Sequence, residues 1–151
     1  MSRGQYPNTR MRRNRMQAFS RRLVAENRLS TDDLMWPLFV IEGDQQTEAI
    51  DAMPGVSRHS IDRLLEQAER AVDLGIPAIA IFPSIDASFK DPSGSLAQDG
   101  DNLVCRAVRA VKSAYPELGI VCDVALDPFT DHGHDGVMRA DEILNLSLIH
   151  I

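Results

Sequence analysis

Three short apolar runs alternate with two helix-length patterns through the middle of this chain, and that alternation constrains the fold more than any other feature. The runs cover residues 36–41, 78–82 and 120–126. The first two are continuously apolar, the third is broken only by Asp123, and all are rich in branched or aromatic side chains, which suits a strand buried on both faces, as in a parallel sheet. Between the first and second runs, Ile61, Leu64, Leu65, Ala68 and Val72 recur at helical spacing. Ser60 is placed to cap that helix, Asp62 sits in its first turn and Gly75 stops it. Between the second and third runs, Leu103, Val104, Ala107, Val108 and Val111 repeat the pattern, with Asp101 or Asn102 as cap and Tyr115-Pro116 as terminator. Strand, helix, strand, helix, strand is an α/β order with parallel pairing and right-handed crossovers. It fits a piece of a Rossmann-like sheet or of a (β/α)8 barrel. No Gly-x-Gly-x-x-Gly follows the first run, so the nucleotide-binding version lacks its fingerprint.

Ahead of the first strand, residues 1–15 read as an extended arm. Its cluster Arg10-Met11-Arg12-Arg13-Asn14-Arg15 reads as a solvated basic face rather than a nucleic-acid contact, because the chain carries a net charge of −6 and no aromatic residues interleave. From Met16 to Asn27 the spacing predicts a helix, with Met16, Phe19, Leu23 and Val24 on one stripe. Met53-Pro54-Gly55-Val56 is a turn. Residues 84–100 form a connection long enough to suggest a functional or mobile loop.

At 151 residues the chain is long enough for one domain with a real core. It has no run of 18 apolar residues and no apolar segment near its start, so no membrane span or secretory signal is expected, and a cytoplasmic location is. Cys105 and Cys122 read as free thiols. Of the 16 basic residues only Lys90 and Lys112 are lysines, so a mechanism that needs an amine nucleophile has two candidates here.

The chemistry concentrates after the third run. Cys122-Asp-Val-Ala-Leu-Asp-Pro-Phe-Thr-Asp-His-Gly-His-Asp-Gly136 places Asp127, Asp131, His132, His134 and Asp135 in one loop at a strand end, where α/β proteins hold their ligands. A polar surface loop has the same composition. If the loop is a site, Asp127 and Asp135 are the best pair for a hard cation, whereas imidazole would favour zinc. Asp123 needs a partner or solvent, since burying an unpaired charge is costly.

The phrase Asp-Val-Ala-Leu-Asp-Pro-Phe-Thr-x-His-Gly-His-Asp-Gly resembles the metal loop of porphobilinogen synthase, also called δ-aminolevulinic acid dehydratase. Pro37-Leu38-Phe39-Val40 with Glu42-Gly43 is similar to that family's first barrel strand, and Met53-Pro54-Gly55-Val56, Lys90-Asp91 and Gly94-Ser95 are similar to phrases that follow. The resemblance covers residues 10–145 and implies the arm and first three strands of an incomplete (β/α)8 barrel, with 1–15 as arm and 16–145 as partial barrel.

It also implies a lyase of tetrapyrrole biosynthesis that condenses two 5-aminolevulinate molecules to porphobilinogen, within a homo-oligomer, an octamer in the family, held through the arm. Zinc-type members carry cysteines where this chain has Ala125, Asp127 and Asp135, so the resemblance points to the aspartate-type branch that uses magnesium or potassium. Asp127 and Asp135 would then be the metal residues and Asp123 a supporting catalytic group. The family's Schiff-base lysines lie on later strands, and neither Lys90 nor Lys112 matches their motifs, so the 151-residue chain alone is expected to be inactive, and to aggregate or pack poorly. Residues 146–151 have no family counterpart and read as a non-native tail of a truncated or misread coding sequence. Two rival readings remain: a metal-dependent barrel hydrolase using His132 and His134, and a non-enzymatic truncated subunit that binds an intact partner.

Overall fold

A computed structural model describes residues 4–10, 12–139 and 142–143. The expected tail, 146–151, lies outside these residues. The chain divides into two compact units, one through residue 30 and one from Thr31 onward.

In the first unit, helix begins at Arg13, inside the expected arm, and ends at Leu23, short of the Asn27 predicted. Helix α1 (Arg13–Met16) and helix α2 (Ala18–Leu23) replace the single helix predicted from Met16, because Gln17 adopts an extended conformation between them. The Ser20 hydroxyl donates to the carbonyls of Asn14 and Gln17, and the Arg21 guanidinium donates to those of Arg15 and Met16, so side chains satisfy the carbonyls left open at the break. The break divides the predicted stripe, with Met16 in α1 and Phe19 and Leu23 in α2; all three are exposed and neither helix buries a residue.

The second unit is α/β around a mainly parallel five-stranded sheet. Strands β1 (Met35–Val40), β4 (Ala78–Pro83) and β5 (Gly119–Cys122) are the three predicted runs, and they pair in parallel in the order β1-β4-β5. Two short strands were not legible in the sequence. β2 (Thr47–Ala49) pairs antiparallel with β3 (Ser57–His59), which in turn pairs parallel to β1, giving the order β2-β3-β1-β4-β5. β3 meets β1 only at Phe39 and Val40, so Pro37, which has no N–H to give, lies where β1 is paired on one side only.

Helices α3 (Ile61–Asp73) and α4 (Leu103–Ala114) pack on each other and on β1 and β4. The core they enclose contains Leu38, Val40, Leu64, Ala68, Ala71, Ile79, Ile81, Leu103, Ala107, Val111 and Leu118. Gly75 (φ +68°) ends α3 in the left-handed conformation, where its N–H bonds to Val72 and the next N–H, of Ile76, bonds back to Ala71. Asn102 caps α4 by accepting the N–H of Cys105 at 2.9 Å. Ser60 stands at the cap position of α3 but uses its hydroxyl otherwise: it donates to Asp62 and accepts from the N–H of Gln46, tying the loop after β1 to the helix start.

The sheet is not buried on both faces as the apolar runs predict. One face lies under α3 and α4. On the other, Phe39 and Phe82 meet in a tilted ring contact with centroids 5.7 Å apart, while Val121 is 44% exposed. β5 also stops at Cys122, four residues short of the predicted end, so Asp123 follows the strand and is exposed. Beyond it, strand β6 (Met138–Arg139) pairs antiparallel with β7 (Glu142–Ile143).

Candidate functional site

Because β1, β4 and β5 run parallel, the connections leaving β4 and β5 emerge at one end of the sheet. They are clasped together. Asp91, in the loop after β4, bridges to the loop after β5: its N–H donates to Phe129 O at 3.3 Å, and Asp131 N–H donates back to Asp91 O at 3.2 Å. The imidazole Nε2 of His132 lies 3.2 Å from Pro92 O. Gly94 (φ +63°) packs beside Thr130, Leu126 and Phe129 so closely that a Cβ there would meet the Thr130 methyl at 3.3 Å. Thr130 and Phe129 are buried under this contact.

Within the loop after β5, Asp135 is the organising acceptor. Its Oδ1 takes the N–H of Leu126 at 2.7 Å and of Asp127 at 3.1 Å. These donors, Asp127 first, hold its carboxyl below the usual carboxylate range. Asp127 moves the other way. Partial burial and then the charges of Asp135 and Asp123 push its carboxyl up, and it hydrogen-bonds to Asp135. Thr130 Oγ1 donates to His134 O at 3.0 Å, fixing the chain just before Asp135.

The predicted site residues therefore divide. Asp127 and Asp135 are brought side by side, with the charge of Asp123 close enough to act on Asp127. His132 is placed elsewhere. Its Nδ1 accepts the N–H of His134 at 3.2 Å, so Nε2 carries the proton and donates it to Pro92 O. Both ring nitrogens are committed, and the His134 ring is stacked on it at 5.7 Å. Among the described residues no three His, Cys, Asp or Glu side chains converge as a cage for a metal. Two adjoining carboxylates that repel each other nevertheless suit a hard cation that keeps most of its water.

Of the two lysines, Lys112 has its ammonium committed away from the carboxylates. Lys112 Nζ donates to Pro116 O at 3.0 Å and Leu118 O at 2.7 Å, closing the end of α4. Lys90 is half-buried in the loop after β4. The sequence reading passed over Asp91, whose carboxylate accepts from the backbone N–H and hydroxyl of both Ser93 and Ser95. The Asp-x-Ser-x-Ser spacing is the signal that could have found it, since Asp favours bonds to backbone N–H groups just ahead.

Residues 8–151 match the family model described as delta-aminolevulinic acid dehydratase. The chain belongs to the delta-aminolevulinic acid dehydratase family. It is 56% identical over 136 residues to the dehydratase of Bradyrhizobium diazoefficiens, covering 90% of this chain and 38% of that one. To the Chlamydia pneumoniae dehydratase it is 42% identical over 142 residues, covering 94% of this chain and 43% of that one. A dehydratase crystal structure from Toxoplasma gondii, in complex with the reaction product porphobilinogen, superposes with a TM-score of 0.84 at 37% identity, over 93% of this chain and 41% of the other. The chain thus spans about two fifths of the length of the dehydratases it matches. The resemblance read from the loop sequences is a true family relationship, and the hydrolase alternative is not favoured.

Proposed function

We propose that this chain supplies the arm, the first three barrel strands and the metal-side half of the active site of a porphobilinogen synthase, which condenses two 5-aminolevulinate molecules to porphobilinogen. The observation that carries this reading is the clasp of the loops after β4 and β5, which sets Asp127 and Asp135 side by side at the end of the sheet where such sites lie. In this reading the enzyme is of the aspartate type. Asp127 and Asp135 hold magnesium, or potassium, largely through water, and Ala125 leaves no thiolate for zinc. The bound cation would offset the repulsion between the two carboxylates and polarise oxygen atoms of the substrate. Asp123 adds negative charge at the same mouth and favours a protonated amine nearby. The amines that form Schiff bases come from sequence beyond this segment. The basic first unit joins copies of the enzyme into a homo-oligomer, and the enzyme works in the cytoplasm.

A graft tests the proposal. Residues 8–143 replace the matching segment of the Bradyrhizobium diazoefficiens dehydratase, and porphobilinogen formation is followed with magnesium, with potassium and with zinc. Magnesium- or potassium-supported turnover that falls on Asp127→Ala and Asp135→Ala is expected. A folded, oligomeric graft that turns over only with zinc would sink the aspartate-type assignment, and one inactive with every metal would sink the proposal.

A further inference from the structure

The geometry points to Asp91 as a positioning residue for the Asp127–Asp135 pair, acting through the loop clasp rather than by touching metal or substrate. The carboxylate of Asp91 is the hub of its own loop. Oδ1 accepts the Ser93 N–H at 2.7 Å and hydroxyl at 2.6 Å, and Oδ2 accepts the Ser95 N–H at 3.2 Å and the Ser95 hydroxyl. Four donors on one carboxylate fix residues 91–95 in a single turn. That turn presents three things to the neighbouring loop: the Asp91 backbone, which bonds both ways with Phe129 and Asp131; the Pro92 carbonyl, which meets His132; and Gly94, whose left-handed conformation lets the backbone approach Thr130. Thr130 then holds His134 O, next to Asp135, whose Oδ1 gathers Leu126 and Asp127. Every link in this sequence of contacts is a hydrogen bond or a van der Waals approach, and each lies within the second unit. The same donors, the serine hydroxyls foremost, hold the Asp91 carboxyl well below the usual carboxylate range.

The role rests on the metal-loop reading for its consequence in binding, but not for its structural part, and the experiment separates the two. Amide hydrogen exchange and Mn²⁺ titration, with Mn²⁺ standing for magnesium, are measured on the chain and on Asp91→Ala. Faster exchange at the Leu126, Asp127 and Asp131 amides is expected, with α3 and β4 unchanged, together with a rise of about tenfold in the Mn²⁺ Kd. Asp86→Ala is the control. Asp86 makes a similar turn with Ser88 in the same loop, without a bond to the loop after β5, and should move neither readout. If Asp91→Ala fails to fold, the Ser93→Ala/Ser95→Ala pair removes two of the four donors and carries the same expectation in weaker form. Unchanged exchange at Leu126 and Asp127 overturns the proposal. Faster exchange there, in a protein that never binds Mn²⁺, upholds the clasp and counts against the metal reading instead.

Discussion

Asp135 accepts the backbone N–H of Asp127 at 3.1 Å, which brings the two carboxyl groups together and sets their acidities apart, Asp127 raised and Asp135 lowered. Asp127 is the reluctant acid to ionise, since it is partly buried and faces two like charges. Asp135 ionises early because two N–H groups point at it. The pair thus resembles other carboxylate dyads in which environment, not residue type, separates the members.

This asymmetry has opposite consequences for stability. A carboxyl raised in the folded state favours folding below its unfolded pKa and loses that contribution as pH rises through the folded value. A lowered one contributes above its unfolded pKa and loses it as pH falls through the folded value. In metal-free buffer at pH 7, Asp127→Asn should therefore raise the urea midpoint. The gain should stay below ~1 kcal/mol because solvent screens the site, and it should vanish below about pH 3, where carboxyls are protonated. Asp135→Asn should lower the midpoint at pH 7. Shifts of the same sign for both variants would show that the pair is not coupled in this way.

The loop clasp makes a prediction at two glycines of similar backbone. Gly94 (φ +63°) and Gly133 (φ +71°) both lie in the left-handed region, but a Cβ at Gly94 meets Thr130, Leu126 and Phe129 within 3.5 Å, whereas Gly133 has nothing within 4 Å. Alanine at either position carries a conformational cost of about 1–2 kcal/mol. Only at Gly94 does it also push the loops apart. Urea unfolding should therefore show Gly94→Ala as the more damaging change, by roughly another 1 kcal/mol or more. Equal losses would mean that the loops are not packed against each other.

Much of this architecture was legible from the chain. Helices α3 and α4 and their ends follow from apolar spacing, from Asn102 and from Gly75, because a helix is specified by side chains three and four residues apart. Strands β1, β4 and β5 follow from their apolar runs, though β5 proved shorter, since Val124 and Ala125 continue the hydrophobic pattern without a partner strand to extend the pairing. β2 and β3 were illegible because Thr47–Ala49 and Ser57–His59 are short and polar, and long-range pairing with β1 alone makes them strands. Within the site, Asp127 and Asp135 were readable as a pair. The clasp through Asp91 was not, because it joins residues some forty positions apart by backbone contacts that leave no periodic trace.

The lysines lead to a chemical prediction. Schiff-base formation requires a neutral amine free to attack a ketone. Lys112 spends its ammonium on the carbonyls of Pro116 and Leu118, and Lys90 lies in the clasped loop without matching the family's lysine motifs. Incubating the 151-residue chain with 5-aminolevulinate and borohydride should give no reduced adduct on either residue by peptide mass mapping, and no porphobilinogen by colorimetry. An adduct on Lys90 or Lys112 would overturn this assignment of both amines.

His132 provides the most direct test of whether the two loops meet as described. Its Nδ1 lies 3.2 Å from the His134 N–H, which can only donate, so Nδ1 must be the bare nitrogen and Nε2 must carry the proton that reaches Pro92 O, also at 3.2 Å. A long-range nitrogen–proton NMR correlation should therefore show the Nε2–H tautomer for His132 at pH 8. His132→Ala should remove one bond between the loops, costing about 1 kcal/mol in urea, while leaving Mn²⁺ affinity within twofold to threefold, because neither nitrogen is available as a ligand. A metal-binding role for the ring would reverse both signs of the argument. Zn²⁺ would then shift the His132 nitrogen resonances at stoichiometric concentration, and His132→Ala would cost affinity before it cost stability.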